Sequence, residues 1–223
     1  MRHFFYNAAF RKHLQQDAHH YGEVTFLESI TRKGMTVIEA GAYDGVTGIA
    51  LARAVGTRGR VYAFEPVPEY YGVLQENLTR NKADNVKAVN QGLSDRTGTI
   101  AFYKHGDGSG ITEEAGAERT RVKVTTVPDF LRKENVATRI DLFNMDCEGS
   151  ELHLLRGAKE ILARDHPQIF CEVHHGYLRQ IDQSVRDLVS FLEGLAYTVR
   201  PLRVEDREGK TTFPECSHVY AYI

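Results

Sequence analysis

Two groups of residues in this 223-residue chain have the types and spacing for chemistry. The first is Glu39-Ala40-Gly41-Ala42-Tyr43-Asp44-Gly45, which closes one apolar run, together with Glu65-Pro66, which closes the next. Gly41 permits a tight turn with close backbone approach, and Gly45 lets a helix begin near the strand. Two glycines four apart, with no third, are not the fingerprint that cradles a pyrophosphate. The carboxylates of Glu39 and Asp44 would repel such a group and suit a cation instead, an amine or a sulfonium. Glu65 lies 20 residues beyond Gly45, where an acid accepts hydrogen bonds from the hydroxyls of an adenosine ribose.

The second group is Asp146 and Glu148 after one apolar run, with Glu172, His174 and His175 after another. Carboxylates and imidazoles on neighbouring strand ends supply a general base. They are also the oxygen and nitrogen donors of a divalent metal. Asp146, Glu172 and His174 are therefore both the candidate catalytic residues and the possible metal ligands, and the pattern does not by itself require an ion. Asp146 reads as the cofactor-side acid or base, and His174 or Glu172 as the acceptor-side base. Glu148 reads equally, and Glu151 more readily, as a charge that favours the first turn of the next helix. His175 alternates in phase with Val173, as a packing histidine would.

The elements that must position these groups follow from periodicity. Strand-length apolar runs at Met35–Ala40, Arg60–Phe64, Val86–Val89, Ile140–Met145 and Gln168–Val173 alternate with amphipathic stretches at Val46–Val55, Pro68–Asn81, Ser150–Ala163 and Ser184–Gly194. Tyr197–Arg200 and Ser217–Ile223 read as closing strands. This order predicts an α/β fold, a mostly parallel sheet with helices on both faces. Thr97–Tyr103 and Arg121–Thr126 break the rhythm as an inserted β-hairpin. The Gly-rich stretch between them reads as a mobile loop over a site. Residues 4–31 read as helical, with Gly22 separating two pieces. The division is a helical extension over 1–33 and one domain over 34–223, with the insertion at about 95–127.

Composition bounds the function. With 28 Lys+Arg against 30 Asp+Glu, no broad electrostatic affinity for nucleic acid is expected. No apolar run is long enough to span a membrane. Cys147, Cys171 and Cys216 lack metal-type spacing and read as reduced thiols of a cytoplasmic chain. The stripe Phe4, Phe5 and Phe10 reads as core capping or as a homodimer contact. Tyr70 and Tyr71 read as packing. His13, His19 and His20 have no acids converging on them in sequence, and His19-His20 reads as a solvated face.

Taken together, four stretches resemble the FkbM family of S-adenosylmethionine-dependent methyltransferases over roughly residues 28–173. They are VIEAGAYDG (37–45), VYAFEP (61–66), NQGLSDRTG (90–98) and DLFNMDCEGSE (141–151), followed by LRGA (155–158). The resemblance implies a Rossmann-like class I methyltransferase fold with a seven-stranded sheet of order 3-2-1-4-5-7-6 and an antiparallel last strand. It implies that the Glu39–Gly45 turn holds the methionine end of S-adenosyl-L-methionine and that Glu65, with Pro66 beside it, holds the ribose. Gly92, Leu93 and Ser94 would lie by the adenine, with Asp95 accepting from its amino group. Asp146 would face the cofactor. O-methylation of a sugar, glycan or small natural product follows from the same resemblance. Asn144 stands where the family commonly has Lys. That departure favours the alternative of a catalytically inactive module that binds S-adenosylmethionine or S-adenosylhomocysteine. An NAD-dependent oxidoreductase is disfavoured by the acids in the first turn.

Overall fold

The computed structural model describes residues 3–113, 115–206 and 210–223; position 114, inside the predicted loop, and 207–209 lie outside the described residues. Helices α1 (Ala8–Leu14) and α2 (Ala18–Ile30) precede β1 (Thr36–Ala40), α3 (Val46–Val55), β2 (Arg60–Phe64), α4 (Pro68–Arg80) and β3 (Val86–Val89). The chain then forms β4 (Gly92–Leu93), β5 (Gly98–Lys104) and β6 (Glu118–Thr125). It returns through α5 (Val127–Lys133) to β7 (Leu142–Met145), α6 (Glu151–Gly157), α7 (Lys159–Asp165) and β8 (Gln168–Glu172). It ends with α8 (His175–Gln180), α9 (Val185–Glu193), β9 (Thr198–Leu202) and β10 (His218–Tyr222).

The main sheet has the order β3-β2-β1-β7-β8-β10-β9, which is the expected 3-2-1-4-5-7-6. Its first five strands are parallel, and β10 runs antiparallel to β8 and β9. The inserted hairpin is β5 against β6, with β4 added in parallel to make a small second sheet.

Strand side chains alternate between faces, and the core divides accordingly. Ile38, Tyr62, Phe64, Phe143, Met145, Ile169 and Cys171 enter one cluster, shared with α5, α6, α7 and α9. Val37, Val61, Leu142 and Phe170 enter another, shared with α2 and α3. The sheet is thus covered on both faces. Its order reverses between β1 and β7, and in such sheets ligands bind beyond the carboxyl ends of the strands at that point.

The N-terminal segment packs into the domain. Phe4, Tyr6 and Leu14 are buried with Ile49, Leu74 and Leu78. Phe4 stacks on Phe10 at 4.5 Å, and the Asn77 and Asn81 side chains accept from the backbone N–H groups of Phe4 and Tyr6. Phe5 alone of the stripe is exposed. The helical break falls at residues 15–17, where Asp17 caps α2 by accepting from the His20 N–H at 3.2 Å, and not at Gly22. Gly22 lies inside α2 because a Cβ there would stand 2.3 Å from the Val204 carbonyl oxygen. That is a requirement of packing, not of turning. The predicted helix over 150–163 is two helices, broken at Ala158, where ψ is 0°. Helices α5 and α8 have no counterpart in the periodicity, being too short to show one. No helix among the described residues is long and apolar enough to cross a membrane.

Candidate active site

The turn after β1 is built around Gly41. Its φ is +85°, and a Cβ on it would fall 1.7 Å from the Asp146 carbonyl oxygen. The two crossover loops at the switch point therefore touch, backbone to backbone. The Asp146 N–H donates to the Ala40 carbonyl at 2.9 Å, while the Gly41 and Ala42 N–H groups both donate to Phe64 at 3.0 Å. Tyr43 follows at φ 45°, an uncommon region for a non-glycine residue. Gly45 is the N-cap of α3.

A cavity of about 710 Å³ opens over these loops, within the range of small-molecule sites. Gly41, Ala42, Tyr43, Asp44, Glu65, Pro66, Gly92, Leu93, Ser94 and Asp146 all line it. Its far wall comes from the inserted hairpin, through Ile100, Phe102, Val122 and Val124, and from Ser109 and Ile111 in the loop. Tyr70, read from sequence as packing, also lines it, set edge-on to Tyr43 with ring centres 5.2 Å apart.

Glu65 is buried at the end of β2. It accepts from the Tyr43 N–H at 3.0 Å and the Val67 N–H at 2.8 Å. Burial pushes its carboxyl up to about 7 against those two hydrogen bonds. Glu39 differs from its expected placement. It does not line the cavity but lies beneath the turn, fully buried. Its side chain points to the α2–α3 face, where Oε1 accepts from the Thr47 hydroxyl at 2.5 Å. Burial pushes Glu39 up to about 7, with hydrogen bonds from the Thr47 hydroxyl and the Asn144 amide opposing. Asn144 stands directly opposite it in register on β7. Gly45 likewise stands behind the lining. Asp95 does not line the cavity but is paired at 3.0 Å with His153, which does.

The second group gathers around His174, the N-cap of α8. Its Nε2 lies 3.1 Å from Glu148 Oε2, 3.5 Å from Asp146 Oδ1 and 3.7 Å from Glu172 Oε1. Its Nδ1 is 2.8 Å from Glu151 Oε1, which also accepts from the Gly149 N–H. Glu151 stands in the first turn of α6, as expected, but is fully buried there and also orients the imidazole. Of this group Asp146 and Glu148 line the cavity, while Glu172 and His174 stand behind them. Asp146 Oδ1 makes no hydrogen bond.

Electrostatics separates these groups. Burial opposes charge on His174, but the Glu151 hydrogen bond and the carboxylates of Asp146, Glu151 and Glu148 hold it up to about 10. Burial would raise Glu172, yet the His19 hydrogen bond and the His174 and His218 rings bring it down to about 2. Asp146 is pushed well above the carboxylate range by burial and by Glu172. His175 is a satisfied packing histidine, 3.0 Å from the Cys216 carbonyl.

His19 does not lie on a solvated face. Its Nε2 is 3.1 Å from Glu172 and its Nδ1 is 2.6 Å from Glu205. The acids that converge on it come from strand β8 and from position 205, more than 150 residues away in sequence, so local reading misses them.

The methyltransferase FkbM domain matches residues 39–199 of this chain. Methyltransferase sdnD of Sordaria araneosa is 29% identical over 157 residues, covering 56% of this chain and 60% of that protein. Hexuronic acid methyltransferase AglP of Haloferax volcanii is 28% identical over 120 residues, covering 54% of this chain and 49% of that protein. The chain thus spans about half to three fifths of the length of these relatives. Among solved structures, the methyltransferase FkbM of Methylobacillus flagellatus KT has a TM-score of 0.58 at 18% identity, covering 93% of this chain and 52% of that one. That likeness is one of fold.

Proposed function

The chain belongs to the FkbM methyltransferase family, and on that premise we propose that it transfers a methyl group from S-adenosylmethionine to an oxygen of a sugar, a glycan or a small natural product. One observation carries the reading. The turn that would hold the methionine end and the loop that bears Asp146 are in backbone contact at Gly41. A cofactor seated on Gly41, Ala42, Tyr43 and Asp44 is therefore beside the Asp146 carboxylate. The donor set fits a sulfonium better than a phosphate, since Asp44, Glu65, Asp146 and Glu148 all line the cavity.

S-adenosylmethionine, when bound, would supply the activated methyl group: the acceptor oxygen bonds to the methyl carbon as the C–S bond breaks, and S-adenosylhomocysteine leaves. What the protein contributes is largely positioning. Glu65 receives the ribose hydroxyls, and Gly92, Leu93 and Ser94 take the adenine. The hairpin residues Phe102, Val122 and Val124 close the apolar side and exclude water. Asp146 lines the cavity, and burial raises the proton affinity of its carboxylate, so it takes the proton that the acceptor hydroxyl loses. His174 is placed to stabilise the carboxylates of Asp146 and Glu148. As an imidazolium it is a positioning group and not the base.

A sugar or uronic-acid acceptor has support in the name of the Haloferax volcanii relative. The test is turnover of S-adenosylmethionine against hydroxylated sugars, uronic acids and small polyols, reading S-adenosylhomocysteine release and the mass of the product. A methylated acceptor is expected. Stabilisation by NAD but not by S-adenosylhomocysteine in a thermal melt would refute the cofactor assignment. Tight binding of S-adenosylhomocysteine with no turnover across such acceptors would favour the inactive binding module.

A further inference from the structure

We propose that His19, Glu23, Glu172 and His218 form a binding site for a divalent transition-metal ion of the Zn²⁺ and Co²⁺ class. Each offers one ligand atom, and these atoms all lie within 4.8 Å of one another. The set is assembled from three elements. His19 and Glu23 are four residues apart on α2, on one helical face. Glu172 ends β8 and His218 begins β10, and the two are direct partners in the antiparallel register. His19 Nε2 is 3.1 Å from Glu172 Oε1, and His218 Nε2 is 3.1 Å from Glu23 Oε1.

What separates this set from an ordinary ion-pair cluster is the treatment of the other ring nitrogens. His19 Nδ1 is held by Glu205 at 2.6 Å, and His218 Nδ1 by the Ser217 hydroxyl at 3.0 Å. Both Nε2 atoms are thereby turned inward, the outer-shell arrangement that orients metal-binding imidazoles. His218 is fully buried and stacked on Phe170 at 4.6 Å, and Glu23 is nearly buried, so half of the donor set is fixed in place. Two imidazoles with two carboxylates suit Zn²⁺ or Co²⁺ and disfavour Mg²⁺ and Ca²⁺, which take oxygen ligands. Glu23 also lines the cavity, so the ion would stand in its wall, tying α2 to the sheet. The proposal does not depend on the methyl-transfer reading.

The test uses the full chain, stripped with a chelator and titrated with CoCl₂ and then ZnCl₂ at about pH 7.5, where metal must displace protons from the imidazoles. The expected result is one Co²⁺ per chain with a visible d–d spectrum, displacement by Zn²⁺, proton release on binding, and a rise in melting temperature. His19→Ala, at a part-exposed position, should abolish the spectrum. Glu205→Gln, removing an outer-shell partner, should weaken binding by about 10–100-fold. Glu148→Gln, in the neighbouring cluster, should leave Co²⁺ binding unchanged. No stoichiometric uptake by natively folded protein would overturn the proposal and leave the four residues as a proton-bridged ion-pair network. Uptake lost in Glu148→Gln but retained in His19→Ala would overturn it too, by moving the ion to the Asp146, Glu148 and His174 cluster.

Discussion

Replacing Glu39 by Gln should stabilise the protein at alkaline pH and leave it unchanged in acid. Glu39 is fully buried, bonded by the Thr47 hydroxyl and the Asn144 amide, which together do not offset its burial. Its carboxyl is raised from 4.5 to about 7 in the folded state, so folding favours the protonated form. A raised acid contributes most below its unfolded pKa, and that contribution is lost as pH climbs from 4.5 towards 7. Above that window the ionised carboxylate costs about 3 kcal/mol, from roughly 1.4 kcal/mol per pKa unit. Gln is isosteric with the protonated acid, keeps an acceptor for Thr47 and does not ionise. Urea titrations of both proteins from about pH 5 to 8.5 should show midpoints that coincide in acid and diverge upward for the variant. At the alkaline end the melting temperature should rise by about 6–12 °C for a chain of this size. S-adenosylhomocysteine affinity should change little, because Glu39 does not face the cavity. A stability difference independent of pH, or a variant less stable at high pH, would refute the assignment of Glu39 as a buried, strained carboxyl.

Three further substitutions probe the site. Glu65→Ala removes the proposed ribose contact and should weaken S-adenosylhomocysteine binding by about 10–150-fold, the value of a charge-assisted hydrogen bond of roughly 1.5–3 kcal/mol; calorimetric affinity within a factor of about two of the parent would reject that role. Asp146→Asn should lower kcat by about 10²–10⁴-fold with cofactor affinity nearly intact; full turnover in single-turnover and steady-state assays would rule Asp146 out as the base. Gly41→Ala forces a Cβ to 1.7 Å from the Asp146 carbonyl oxygen at φ +85°. It should destabilise the fold by about 2–5 kcal/mol, through left-handed strain and overpacking, and an unaltered urea midpoint would show that the two loops are not interlocked.

The strands and the glycine turn were legible because both are written locally, whereas the sheet order was implied by the family resemblance. The strands are short apolar runs whose alternate residues enter opposite cores, as Val37 and Ile38 do. Gly41 and Glu65 sit at strand ends that the fold class alone makes into a ligand site. Glu39 shows the limit of that reading. It has the right type and spacing, but strand alternation turns it to the α2–α3 face, one residue from the lining position of Ala40. Glu151 was legible in part, since it does stand in the first turn of α6. A carboxylate in a first helical turn is usually solvated, and only the contact with His174, 23 residues on, makes it a buried orienter. The His19 cluster lay furthest from sequence reading, because His218 and Glu23 are 195 residues apart and meet only after the last strand has folded back beside β8. The one local trace was His19 and Glu23 at helical spacing, and the Gly22 expectation hid it by breaking the helix between them. Once Gly22 is understood as a point of contact with Val204, α2 is continuous, and its acid and imidazole must face the sheet together. Misreading that glycine thus cost the boundary of a helix and the side-chain cluster the helix helps to build.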